Sequence, residues 1–157
     1  MVDTCNGTAR LLGFLPGETL PAISLSELTG DSAKGGIGAF RSGLSRRVAI
    51  SWVVPASDLT CGQCRMLVGQ RLGLPWLARP VATFVARYPQ AECDLYPGDL
   101  TVNALMAWRD LAAFAPEATY SMLACDFEWL RRQAREDEAT DSILKLAVQA
   151  LNDAANA

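Results

Sequence analysis

The chain has 157 residues, half of them hydrophobic, with a formal charge of −3 and a pI near 4.9. That is enough for one globular domain with a sizeable core and an extra element. Its basic residues are twelve Arg and two Lys with no cationic footprint, which sets nucleic acid aside as a direct ligand, while the acidic balance suits a basic protein partner. There is no His, so Ser-His or Cys-His nucleophilic catalysis cannot be assembled from this chain alone. No stretch approaches the ~20 apolar residues of a membrane helix, and "LLGFL" is too short for the apolar core of a signal peptide. Five cysteines without such a signal then read as reduced thiols of a cytoplasmic protein.

In chain order, residues 1–21 hold Gly7, Gly13, Pro16, Gly17 and Pro21 and no sustained period, the mark of a loosely ordered arm. Residues 22–157 read as the folded domain. "SLSELTG" carries an S-x-x-E capping box, Ser24 with Glu27, closed by Gly30, and predicts a short helix. "DSAKGGIGAF" is a Gly-rich loop without phosphate-loop spacing. In "FRSGLSRRVAISWVV", Phe40, Leu44, Val48 and Trp52 recur every four residues, a helical period, whereas "VAISWVV" alone is β-prone; helix and strand stay open over Val48–Val54.

Asp58 or Thr60 can cap a helix running to about Leu72 and closed by Gly73, with Cys64, Leu67 and Val68 inward. Pro75 suits the first turn of the next helix, whose buried stripe is Leu77, Val81, Phe84, Val85 and Tyr88; Pro80 should bend it or confine it. After "QAECDLYPGD", Pro97 opens a helix through "GDLTVNALMAW" with Leu100, Ala104, Leu105 and Trp108 buried. A longer helix is expected from about Pro116 to Arg135, with Leu123, Phe127, Leu130 and Ala134 inward. A last one follows from about Thr140 to Asp153, with Ile143, Leu144, Ala147 and Leu151 as its stripe, ending in a frayed tail. The expected fold is all-α, a single-domain bundle of about five to six short amphipathic helices.

Two features could carry chemistry. Cys61 and Cys64 in "DLTCGQC" stand at a helix start, where the helix dipole favours a thiolate, so a thiol-disulfide oxidoreductase is one reading. A metal site completed by Cys93 and Cys125 is another. The absence of further β-rich segments weighs against a redox fold and the isolation of Cys93 and Cys125 against zinc, so two small core residues at helical spacing is the preferred reading. Glu92, Asp94 and Asp99 around Tyr96 form the second feature. A solvated loop is the plain reading of it; among functional readings, no pocket that would raise one carboxyl pKa for acid/base work is evident, and an aromatic rimmed by carboxylates suits a protein-contact patch.

The stretch "RMLVGQRLGLPWLARPVATFVARYPQAECDLYPGDLTVNALMAW" resembles the signature region of bacterial contact-dependent growth inhibition immunity proteins. Arg65, Leu67, Gly69 and Gln70 match its first part. Gly73, Leu74, Pro75, Trp76, Leu77 and Pro80 match the second, and Asp94, Tyr96, Pro97, Gly98, Asp99 and Leu100 the third. With "SLSELTGD" and "LSRRVAISWVVPASDLT" upstream, the resemblance spans about 23–135. Cys61 and Cys64 depart from the family pattern, and the arm and the final helix at about 140–153 lie outside it. The resemblance implies a cytoplasmic protein that binds and neutralises the toxic C-terminal domain of a cognate toxin, stoichiometrically and without catalysis, cofactor or metal. Glu92, Asp94, Tyr96 and Asp99 are the expected partner-binding residues; a helical adaptor for another protein is the remaining alternative.

Overall fold

The computed structural model describes residues 7–31 and 43–157. The Gly-rich loop beyond Asp31, with Phe40, lies outside the described residues, as do the first six positions. Within them the chain is helical, without strands, and none of its helices is long and apolar enough to cross a membrane. The helices are α1 (Leu25–Thr29), α2 (Gly43–Val53), α3 (Cys61–Gly69), α4 (Leu74–Arg87), α5 (Asp99–Met106), α6 (Trp108–Phe114), α7 (Pro116–Leu123), α8 (Glu128–Glu136) and α9 (Ile143–Ala155).

Nine helices exceed the five or six expected, for local reasons. Ala107 ends α5, its N–H shared between the carbonyls of Asn103 and Ala104, and α6 begins at the next residue. The single helix expected over Pro116–Arg135 breaks at 124–127, where the Asp126 carboxylate accepts the Glu128 N–H at 2.9 Å and restarts the chain as α8. Phe127, Leu130 and Ala134 are nonetheless buried; apolar spacing reports the buried face and is blind to a break that preserves it. The β-prone "VAISWVV" lies in α2 up to Val53, and α9 runs on to Ala155 instead of fraying after Asp153.

α4 is the central element, packed against α3, α5, α6 and α7. Of its predicted stripe, Leu77, Val81, Phe84 and Val85 are fully buried, while Tyr88, just past the helix end, is half-buried. The helix continues through Pro80, at the loss of one backbone hydrogen bond. α5 lies across α3, where Gly69 leaves room for the Asn103 amide, which donates to the Arg65 carbonyl at 2.9 Å. α9 covers α5 and α8.

From Gly7 onward the arm is part of this core. Leu11 and Leu15 are fully buried, contributing about 1.5–3 kcal/mol each, and Phe14 stacks edge-on against Phe84 and Tyr88. The Leu11 N–H donates to the Leu59 carbonyl, and the Cys61 and Gly62 N–H groups donate to Ala9 and Gly7. The first turn of α3, left with unsatisfied N–H donors by helix geometry, is thereby capped in part by the arm; the Thr60 and Gln63 capping box supplies the rest. Scattered Gly and Pro hide this in the sequence, because the arm pairs through its backbone.

Candidate functional site

Residues 91–98 form a short clasp between α4 and α5, closed where the Gly98 N–H donates to the Ala91 carbonyl at 3.0 Å. Gly98 has φ +84°, and a side chain there would strike the Trp129 ring, so the backbone must be glycine. Asp99 is completely buried. Its carboxylate accepts four backbone N–H groups, from Cys93 (3.0 Å), Asp94 (2.8 Å), Leu95 (2.7 Å) and Leu100 (2.8 Å). Arg65 of α3 stands beside it, with Nε 3.9 Å from Oδ2. Charge-assisted hydrogen bonds are worth about 1.5–3 kcal/mol each, so four of them outweigh an ion pair that lacks a direct N–H contact. Asp99 is the organising centre of the clasp.

This corrects one of the four expected contact residues: with no exposed surface, Asp99 cannot touch a partner while the clasp is closed. Asp94 lies at the surface edge, but Arg47 of α2 (2.8 Å) and Arg65 (3.5 Å) both hold its Oδ2. Glu92 is exposed and makes no ion pair among the described residues. Tyr96 is half-buried; burial first, and the Asp99 charge second, push its hydroxyl above the usual tyrosine value, against an opposing pull from Arg65. The clasp is therefore far less acidic outside than its composition suggests. Its apolar outward residue is Leu95, 59% exposed, with the exposed Glu92 and Pro97 on either side in the chain. Leu95 escaped the sequence reading; the signal for it is a lone large apolar residue in an otherwise polar loop. Arg65 and Trp129 were missed as parts of this unit because they come from other elements.

Cys61 and Cys64 are buried on the first turn of α3, and Cys93 is buried on the clasp. The intervening Gly62 has a packing reason, since a Cβ there would lie 2.9 Å from the Cys93 carbonyl and 3.1 Å from that of Gly7. Cys125 sits at the α7–α8 junction, its thiol directed at the carbonyls of Ser121 and Ala86; burial pushes its pKa up, away from nucleophilic thiolate. The four sulfurs considered for zinc are thus split between two regions, and among the described residues no three Cys, Asp or Glu side chains are gathered to hold a metal ion. Comparison with protein-family models, curated proteins and solved structures finds no match to this chain.

Proposed function

We propose that the chain is an immunity protein that binds the toxic domain of a cognate contact-delivered toxin and blocks it by occupancy, without chemistry of its own. One observation carries this reading: Arg65, from the first part of the family-like pattern, meets Asp94 and Asp99, from the third, in a single unit. A pattern whose separated parts converge on one rigid clasp marks a framework for presenting a surface. On this reading Leu95 is the apolar contact, with Glu92 and Tyr96 beside it and the Arg47–Asp94 ion pair at the rim. A preformed loop loses little conformational freedom on binding, which favours affinity.

The thiol alternative finds less support, because Cys61 and Cys64 are sealed from an incoming disulfide. Co-expression with the toxin domain encoded immediately upstream is the test. The two should co-purify as a stoichiometric complex and growth should be restored, while Leu95→Asp should weaken the complex and leave thermal unfolding unchanged. Failure of the wild-type chain to bind or protect would end the immunity reading; loss of neither by Leu95→Asp would move the contact away from the clasp.

A further inference from the structure

A second surface lies on the opposite part of the sequence, outside the family-like region on one side. α8 and α9 enclose a shallow groove of about 270 Å³. Arg131 and Arg135 line it from α8; Lys145, Gln149 and Asn152 line it from α9. Ala134 and Val148 are its remaining lining residues, and none of the lining residues is acidic. On a chain of net charge −3, such a concentration of donors is unusual.

The cations are held in place by neutral partners. An Arg131 guanidinium N–H donates to the Asn152 side-chain carbonyl at 2.9 Å. The Lys145 ammonium donates to the backbone carbonyls of Asp137 (2.7 Å) and Ala139 (2.5 Å). Both are half-buried, and among the described residues neither lies within ion-pair distance of a carboxylate. A carbonyl orients a cation without cancelling its charge, so the positive potential is retained in the groove. Arg135 alone is ion-paired, to Glu128 at 2.8 Å, and that pair is solvent-exposed, where it is worth about 0–1 kcal/mol and yields readily to a better acceptor. Two further carboxylates flank the groove: Asp137, which accepts from Ser142 and the Ala139 N–H and feels the Lys145 charge, and Asp153, which accepts one N–H of the Gln149 amide and leaves the other free to turn to an anion.

We infer that the α8–α9 groove is an anion-binding site for a phosphate-class oxyanion, held by Arg131, Arg135 and Lys145 with the Gln149 amide as a further donor. A tetrahedral dianion presents more acceptor oxygens than one guanidinium can satisfy, which matches a groove lined with donors from two helices; a carboxylate would be satisfied by one Arg. The site does not rest on the immunity reading and survives its failure.

The test is a titration of the full-length ¹⁵N-labelled chain with inorganic phosphate at constant ionic strength, chloride being replaced step by step. Saturable shifts confined to α8 and α9, including the Gln149 and Asn152 side-chain amides, are expected. Arg131→Gln, which leaves the Lys145 anchors intact, should weaken binding at least tenfold, as should Lys145→Gln; Arg109→Gln, on α6 and outside the groove, should not. Circular dichroism melts identify any variant that fails to fold, and Arg131→Gln carries the decision should Lys145→Gln do so. A linear drift shared by wild type and variants, or saturation by acetate as tight as by phosphate, would overturn the assignment.

Discussion

Replacing Asp99 by Asn isolates what holds the clasp together. The two side chains have nearly the same shape, but an NH₂ group takes the place of one carboxylate oxygen. Each Asp99 oxygen accepts two backbone N–H groups: Oδ1 those of Cys93 and Leu100, Oδ2 those of Asp94 and Leu95. Whichever way the amide turns, two backbone donors face a donor and the other two lose charge assistance. At about 1.5–3 kcal/mol for each lost charge-assisted bond, the variant should be roughly 3–6 kcal/mol less stable, a large part of the about 5–15 kcal/mol typical of a domain. Urea unfolding followed by tryptophan emission reads this directly, since Trp129 packs against Gly98 within the same unit. Arg65→Gln is the companion, and should cost less than Asp99→Asn because Nε is 3.9 Å from the carboxylate. A loss below about 1 kcal/mol for Asp99→Asn, or a larger loss for Arg65→Gln, would refute the claim that backbone hydrogen bonds dominate.

Gly62→Ala should destabilise the protein by about 1–3 kcal/mol through overpacking, although Gly→Ala inside a helix ordinarily stabilises by up to about 1 kcal/mol; an increased unfolding midpoint would disprove the pinch between Gly7 and Cys93. Tyr96 is held protonated by burial and by Asp99. Its folded pKa is raised, so its contribution is complete below the unfolded value of about 10 and is lost as pH rises through the folded value. Ultraviolet titration of phenolate should show a late step that Tyr96→Phe removes. Asp137 has its pKa lowered by the Ser142 hydroxyl first, then by the Ala139 N–H, outweighing its own desolvation, with a smaller contribution from Lys145. That contribution is present above the usual aspartate value of about 3.9 and is lost as pH falls through the depressed folded value. The exchange protection factor of the Ala139 N–H, measured against the intrinsic rate at each pH, should fall below about pH 4 in wild type, and Asp137→Asn should remove that acid-dependent step.

Much of the helical framework was legible in the residues because its signals are local. The Ser24 and Glu27 box forms as spelled. Of the two caps considered for α3, the structure selects Thr60, which is paired with Gln63, and α4 buries its predicted stripe except for the half-buried Tyr88. What stayed hidden depends on partners distant in sequence. The break at Asp126 keeps the apolar phase and so leaves no periodic trace. Asp99 reads in the sequence as one carboxylate of a protein-contact patch; its burial follows from the chain folding back so that the N–H groups of residues 93–95 converge on it. Asp94 reads as an acid available to a partner until Arg47 and Arg65, 47 and 29 residues away, are brought to it by α2 and α3. In each case composition named the charged group correctly, and only the tertiary fold determined whether its charge reaches the surface.

The seating of the arm also orders events during synthesis. Residues 7–11 pair with 59–62, and the pocket that accepts Gly7 is completed by the Cys93 carbonyl. A nascent chain can therefore form the Ser24-capped turn of α1 early, but residues made before it must wait until position 93 has cleared the ribosome. Leu11 and Leu15, fully buried in the finished protein, are available to other chains throughout that interval. Contacts spanning such separations slow folding, and apolar residues exposed meanwhile are the usual route to aggregation. The same latch that seals the finished core leaves its own leucines exposed while the protein is being made.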